Sequence, residues 1–338
     1  MKKLFFLAFI ITSCTKAVKT GLPVKEEISG ILRQTGSSIP DQISFIQPGL
    51  YPEGVAFDKL NNRFLVSSIT AGKISAVKFD GAYSLLVQDA DMPPMLGLKV
   101  DEARKQIVVV GGDLFGSSAK MGVYDLQSGT RIQLIDLSPL RPNAIHLADD
   151  VCIDPQGNKY ITDTKSPIIY KVDPTGHATI FFESDRYAEP ADFPFFWSGF
   201  NGIDYDKNGF LIVAFYTGGA LIKIPVNNPN DFREIDLDVP IASPDGILLS
   251  RDGKELVVVD NRYLGEDAEI THYISDDNWI SARRVESFPT GQVSPTTATS
   301  DGKNVFAIYS YIQDLFFGSD TPQERFIIKK IPFTLKSF

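Results

Sequence analysis

The sequence NGIDYDKNGFLIVAFY, residues 201–216, contains the pattern that decides the fold. It begins with a polar residue and a glycine, continues as a short strand-like run, and turns at DKNG, residues 206–209. Glycine is favoured at the fourth position of a turn because a positive φ is often required there. The run FLIVAFY that follows has the β-branched and aromatic residues typical of a second strand. Residues 201–216 therefore predict two antiparallel strands joined by a tight turn.

The same pattern recurs along the chain at intervals of 43 to 53 residues. The other opening strands are EGVAFD from Glu53, LGLKVD from Leu96, DDVCID from Asp149, DGILLS from Asp245 and, more weakly, PTTATS from Pro295. Small antiparallel sheets repeated in this way favour closure into a propeller, because that arrangement leaves only short, protected strand edges. A β-sandwich would not repeat at a fixed interval. The predicted fold class is all-β, a six-bladed β-propeller.

One further strand-like run, QISFIQPG at residues 42–49, precedes the six repeats. We predict that residues 42–50 supply an outer strand to the last blade, residues 294–333, which would otherwise be one strand short and have an exposed edge. The two ends of the domain should therefore meet. The predicted propeller domain covers residues 42–338.

The first fourteen residues, MKKLFFLAFIITSC, indicate an export signal. Two lysines precede an apolar run that is shorter than the roughly 20 residues needed to span a bilayer. Residues 11–14, ITSC, resemble the bacterial lipoprotein signal box, in which the cysteine is acylated. The resemblance implies a signal peptide over residues 1–13, lipidation of Cys14, a tether over residues 14–41, and a lipid-anchored location in the cell envelope. The alternative is an ordinary signal peptide in which Cys14 is incidental.

The overall charge argues against a polyanionic partner. The net charge is -9 and the isoelectric point is near 5.0, whereas nucleic-acid binding depends on lysine and arginine contacts with phosphates. The sequence contains no GxSxG nucleophile motif, no P-loop and no dinucleotide-binding glycine motif. The expected partners are therefore a small-molecule substrate and, through the anchor alone, a membrane.

The opening positions of the repeats carry oxygen-bearing side chains that suggest a metal site. In a propeller the first strand of each blade lines the central channel, so these positions converge at one end of it. Four of the six positions hold oxygen donors: Glu53, Asp149, Asn201 and Asp245. Each alone is more typical of a turn residue, but together they predict one divalent cation, and hard oxygen ligands suit calcium.

A zinc site is not indicated by the remaining residues. The histidines, His146, His177 and His272, are scattered along the sequence, and only Cys152 remains if Cys14 carries lipid. His146 lies three residues before Asp149 and could reach the channel mouth, although a hydrogen-bonded loop histidine is the more common situation.

Three stretches resemble the family of senescence marker protein, gluconolactonase and luciferin-regenerating enzyme. They are YPEGVAFD (51–58), FNGIDYD (200–206) and SPDGILLSRDG (243–253), and the resemblance covers about residues 45–333. It implies a six-bladed propeller with a divalent metal, often calcium, and lactone hydrolysis. It also implies that Glu53, Asn201 and Asp245 are metal ligands and that Asp245 is the general base.

The chain departs from that family at two positions. Asp149-Asp150 stands where relatives commonly have Asn-Asp, and Leu147 stands where sugar-lactone hydrolases have an arginine. Three carboxylates around a 2+ ion leave a charge of -1, which should tighten ion binding and weaken the ion as a Lewis acid. A sugar lactone is therefore not assured as the substrate.

The predicted function is calcium-dependent hydrolysis of a lactone or ester, with Asp245 as the catalytic residue. The alternative is a non-catalytic propeller that uses the ion structurally and binds a ligand or a protein partner. The segment SDRYAEPADFPFFWSGF (184–200) bears on the substrate because it is rich in aromatic residues and precedes Asn201. Its aromatics could form an apolar wall around a hydrophobic substrate or pack the loop onto the rim, and the sequence favours neither.

Overall fold

The computed structural model describes residues 39–92, 94–188, 199–262, 267–318, 321–333 and 335–336. Within these ranges the strands form six sheets, each of four or five strands. The predicted signal peptide, the predicted lipidation site Cys14 and most of the predicted tether lie outside the described residues.

The first three blades each contain four antiparallel strands, and chain order runs from the innermost strand outward. The strands are β2 (Val55–Asp58), β3 (Arg63–Ser67), β4 (Lys73–Val77) and β5 (Tyr83–Gln88) in the first blade, β6 (Met95–Asp101), β7 (Gln106–Gly112), β8 (Ala119–Asp125) and β9 (Arg131–Asp136) in the second, and β10 (Ala148–Ile153), β11 (Lys159–Asp163), β12 (Ile168–Val172) and β13 (Ala178–Glu183) in the third.

The last three blades follow the same plan with two additions. Their strands are β14 (Phe200–Asp206), β15 (Phe210–Phe215), β16 (Ala220–Pro225) and β17 (Arg233–Glu234) in the fourth, β19 (Pro244–Leu249), β20 (Glu255–Asp260), β21 (Glu269–Ile274) and β22 (Ser281–Pro289) in the fifth, and β23 (Pro295–Ser300), β24 (Val305–Tyr309) and β25 (Arg325–Ile331) in the sixth. The fifth blade gains a short parallel strand, β18 (Asp236–Leu237), which pairs with β22. The sixth gains β1 (Gln42–Ile46), which pairs with β25.

The innermost strands pack against one another in a closed ring. The strands β2, β6, β10, β14, β19 and β23 contact each other in that order, and β23 in turn contacts β2. The approach is close: a Cβ atom on Gly202 would lie 2.3 Å from the backbone oxygen of Asp245. Crowding between neighbouring innermost strands therefore explains why most opening residues are followed by glycine. The predicted six-fold closure is confirmed.

The first strand completes the last blade, as the sequence predicts. It pairs antiparallel with β25, with Gln42 opposite Lys329 and Ile46 opposite Arg325. Its inward side chains, Ile43 and Phe45, are each 1% exposed and belong to a core cluster shared with β25. The strand ends at Ile46, earlier than the predicted residue 50.

Helical structure is scarce within the described residues. One α-helix, α1 (Ile312–Phe317), lies between β24 and β25, and three short 3₁₀ helices occupy Ser138–Leu140, Asp185–Tyr187 and Pro229–Asp231. Among the described residues, no helix combines the length and the hydropathy needed to cross a membrane.

Candidate metal centre

Residues at the start of all six innermost strands line a single cavity at one end of the channel. The cavity has a volume of about 140 Å³, and its wall includes all four predicted ligands, Glu53, Asp149, Asn201 and Asp245. They meet because each lies at the same end of its innermost strand, and the ring of strands brings those ends together. The structure therefore places all four predicted ligands in the wall of one cavity.

The sixth blade differs by one residue from the prediction. In the sixth blade Pro295 pairs with Tyr309, and in the fifth blade Pro244 pairs with Asp260, so the two prolines are equivalent. The residue equivalent to Asp245 is therefore the next one, Thr296, and not Pro295. Thr296 lines the cavity, and its hydroxyl donates a 2.6 Å hydrogen bond to the backbone oxygen of Glu53. Both blades have a Ser-Pro dipeptide here, at residues 243–244 and 294–295, and alignment of the two dipeptides would have given the correct register.

Three carboxyl groups converge in this cavity. One oxygen from each of Glu53, Asp149 and Asp245 lies within 4.8 Å of the others, and the three residues are 8%, 7% and 5% exposed. Glu53 Oε2 and Asp149 Oδ2 are buried without a hydrogen-bond partner among the described residues. Buried carboxylate oxygens in such a position need a compensating cation or a proton.

The pKa values of the three carboxyl groups also indicate that the cluster needs a compensating charge. Burial raises the pKa of Glu53, Asp149 and Asp245 well above the usual range, and repulsion by neighbouring carboxylates raises each further. Ionising all three groups together is therefore unfavourable without a positive charge between them. Calcium takes six to eight oxygen ligands, and this donor set fits it.

Asn201 adds an amide to the same wall. It is 5% exposed, and its backbone oxygen accepts a 2.7 Å hydrogen bond from the Thr162 hydroxyl of the neighbouring blade. This contact fixes the backbone at the point where the side chain enters the cavity. Asn201 can therefore supply a neutral oxygen donor beside the three carboxylates.

Asp245 is oriented by two residues that sequence reasoning missed. The Asn261 side-chain amide donates to Asp245 Oδ2, and the Tyr216 hydroxyl donates a 2.6 Å hydrogen bond to Asn261 Oδ1. Both residues line the cavity. Because Tyr216 occupies the amide oxygen of Asn261, the Asn261 nitrogen is the group turned toward Asp245. Asn261 directly follows β20, and no sequence pattern indicated this role.

A second charged layer lies deeper in the channel. Asp150 Oδ2 accepts a 3.3 Å hydrogen bond from the Ile203 amide, and Asp204 Oδ2 accepts a 2.9 Å hydrogen bond from the Leu249 amide. Burial alone would lower the pKa of Lys99, but the charges of Asp150 and Asp204 outweigh it and raise that pKa. Lys99 therefore compensates the deeper carboxylates, and at the mouth Lys165 lowers the pKa of Asp149 without offsetting the effect of burial.

His146 is a hydrogen-bonded loop residue and does not line the cavity. Its Nδ1 lies 2.9 Å from Asp163 Oδ2, and its Nε2 lies 2.9 Å from the backbone oxygen of Arg141. Asp163 also accepts from the Lys165 amide at 3.0 Å, so this network fixes the turn that carries Thr164 and Lys165 into the cavity wall. The role of His146 is therefore to position the loop.

Comparison with known proteins identifies the fold. No family model and no curated protein matches the sequence, but several solved structures are similar to it. The major Malassezia sympodialis allergen Mala s 1 is 18% identical with a TM-score of 0.69, over 87% of this chain and 96% of the allergen. This chain is a six-bladed β-propeller.

Two enzymes have similar structures. A gluconolactonase from Xanthomonas campestris is 13% identical to this propeller with a TM-score of 0.58, over 86% of this chain and 89% of the enzyme. A luciferin-regenerating enzyme is 11% identical with a TM-score of 0.59, over 86% of this chain and 96% of that one. At such identities the likeness establishes the fold alone.

The aromatic segment before Asn201 is described in part. Tyr187 is 2% exposed, and its ring packs against those of Phe200 and Phe215, with centroids 5.3 and 5.1 Å apart. Tyr187 and Phe200 therefore fit the hypothesis that these aromatics pack onto the propeller. The other aromatics of the segment lie outside the described residues: Phe193, Phe195, Phe196 and Trp197.

Proposed function

We propose that this propeller is a calcium-dependent hydrolase of a lactone or ester. The observation that carries the proposal is the convergence of three buried carboxyl groups, one of them held by Asn261, in a cavity at the channel mouth. The similarity in fold to a gluconolactonase and a luciferin-regenerating enzyme supports the same reaction class.

The calcium ligands in this proposal are Glu53, Asp149, Asn201 and Asp245. Calcium bound there would polarise the carbonyl group of the substrate. The protein supplies four side chains to an ion that takes six to eight oxygen ligands, so positions remain for water and substrate oxygens.

Asp245 has the properties of a general base. It lies in the wall of the cavity, and the Asn261 amide donates to one of its oxygens, so the carboxylate is fixed where it can accept a proton. We propose that Asp245 takes a proton from the attacking water as the new C–O bond forms. The proton then passes to the alkoxide oxygen that leaves when the ester C–O bond breaks. Asn261 keeps the carboxylate oriented throughout.

A second candidate function, ligand binding without turnover, is favoured by the charge of the site. Three carboxylates around one 2+ ion leave a formal charge of -1, which stabilises the bound ion and reduces its pull on a carbonyl oxygen. In this case the ion would serve the stability of the propeller, and the cavity would hold a ligand.

The test is hydrolysis of a panel of lactones and aryl esters by the purified protein. We expect turnover to disappear after chelation and to return with added calcium, and calcium at about a thousand times its Kd to stabilise the fold by about 4 kcal/mol. Calorimetry and thermal melts measure binding and stability independently. Calcium binding without turnover would select the second candidate, and absence of calcium binding would contradict the metal site.

We further propose that the propeller is exported and anchored through lipid on Cys14, because residues 11–14 read ITSC after a short apolar run. Cys14→Ser is expected to prevent acylation and to release soluble protein. Membrane fractionation and the mass of the mature protein check this outcome. Cys152→Ser is the matched control and should stay with the membrane. Unchanged fractionation and mass in Cys14→Ser would refute the anchor.

A further inference from the structure

The wall of the cavity is divided into an apolar side and a polar side. Most of the uncharged and basic polar residues come from the third, fourth and fifth blades, which supply Lys165, Asn201, Tyr216 and Asn261, and the sixth blade adds Ser294 and Thr296. We use the term apolar arc for six residues contributed by the sixth, first, second and third blades: Ile312, Phe317, Ile69, Leu96, Leu114 and Leu147. The carboxyl cluster lies in the same cavity, so a ligand at the cluster meets both sides.

The apolar arc is part of the packed structure. Ile69, Leu96 and Leu147 are buried members of one core cluster, and Leu114 and Ile312 pack against that cluster. Phe317 stands at the outer end of the arc on α1 and is 56% exposed. The arc therefore runs from a rigid base near the carboxyl groups to an aromatic side chain that solvent can reach, and it can bury apolar surface of a ligand along this whole path.

This wall disfavours a polyhydroxylated ring. Hydroxyl groups turned toward Leu96, Leu114 and Leu147 would lose their hydrogen bonds to water and gain none from these side chains. An alkyl chain has the opposite preference, because its burial removes apolar surface from water.

We infer that the substrate is a lactone or ester that carries an alkyl chain, with the chain lying along the apolar arc and the reacting carbonyl at the carboxyl cluster. This inference rests on the proposed function for the reaction, and it adds the substrate class and the direction of the chain. Leu114 and Phe317 are the residues that determine chain-length specificity.

The experiment measures kcat/KM for γ-lactones whose alkyl substituent increases from none to about eight carbons. Each methylene that enters the arc should raise kcat/KM by about fourfold until the arc is filled. Gluconolactone should be a poorer substrate than the medium-chain γ-lactones. Binding of the corresponding γ-lactams is measured by calorimetry, because lactams resist hydrolysis and report affinity without turnover.

Two variants locate the chain. Phe317→Ser and Leu114→Ser should each reduce the ratio of long-chain to short-chain kcat/KM by tenfold or more, with the same loss of selectivity in lactam binding. Phe115→Ser is the matched control, because Phe115 adjoins Leu114, is 82% exposed and is not part of the cavity wall. Its chain-length ratio should equal that of the parent.

The outcomes separate this inference from the proposed function. Hydrolysis that does not vary with chain length would overturn the inference and leave the hydrolase proposal standing. Chain-dependent lactam binding without any hydrolysis would support the inference and remove the hydrolase proposal. Lactam affinity that does not change with chain length would show that the arc does not hold the chain. The same conclusion would follow if Phe317→Ser and Leu114→Ser bound the lactams with the same chain-length selectivity as the parent.

Discussion

Asp245→Asn is expected to hold calcium and to lose at least a hundredfold in kcat/KM. The substitution preserves the size of the side chain and an oxygen that can serve as a ligand, so Glu53, Asp149 and Asn201 should still bind the ion, with some loss of affinity because one negative charge is gone. An amide cannot accept the proton of the attacking water, and removal of a general base typically costs between 10² and 10⁴ in rate.

The measurement is kcat/KM on the best lactone at saturating calcium, together with the calcium affinity from calorimetry. Asp231→Asn is the matched control, since it makes the same chemical change at an exposed site in the turn between β16 and β17. That turn lies at the opposite end of the propeller from the cavity, because β16 runs in the same direction as the innermost strand β14. Hydrolysis at the parent rate by Asp245→Asn would reduce Asp245 to a ligand and refute the mechanism.

A chain that begins at residue 48 is expected to lose most of its stability. The deletion removes β1, whose Ile43 and Phe45 are almost fully buried against Phe326 and Ile328 of the same core cluster. Burial of two such side chains contributes about 3 to 6 kcal/mol, and the deletion also exposes the backbone edge of β25. A domain is usually stable by only about 5 to 15 kcal/mol in total.

Urea denaturation followed by circular dichroism measures this loss. The control is a chain that begins at Ile39, which keeps β1 and removes the predicted signal peptide and most of the predicted tether. Phe45→Ala gives an intermediate test if the deletion does not fold, with an expected loss of about 3 to 5 kcal/mol. A chain from residue 48 that unfolds at the same urea concentration as the control would show that β1 does not close the domain.

The fold could be predicted because the close packing of the innermost strands produces a recognisable sequence pattern. Innermost strands that approach closely require glycine after the opening residue, as at Gly202, and a glycine repeated at regular intervals is easy to recognise. The four candidate ligands followed from the same constraint, because equivalent residues of a ring must meet at its mouth.

The orientation of Asp245 could not be predicted in the same way. Its contact with Asn261 depends on the register between β19 and β20, and the contact of Asn261 with Tyr216 crosses from the fifth blade to the fourth. Neither contact produces a pattern that repeats in the sequence, so the repeat could not reveal it. The apolar arc was missed for a similar reason, since Leu114 lies between β7 and β8 and Phe317 lies on α1 between β24 and β25, and these connections differ in length from one blade to the next.

The pairing of β1 with β25 also affects how the protein is made. Gln42 leaves the ribosome about 290 residues before its partner Lys329, which at about 5 to 20 residues per second is a delay of roughly 15 to 60 s. Until then the last blade lacks its final strands and the ring cannot close. A nascent chain that cannot complete its fold stays unfolded for longer, and unfolded chains can be threaded through a narrow translocation pore. Closure by the first strand would therefore suit a protein that is exported before it folds.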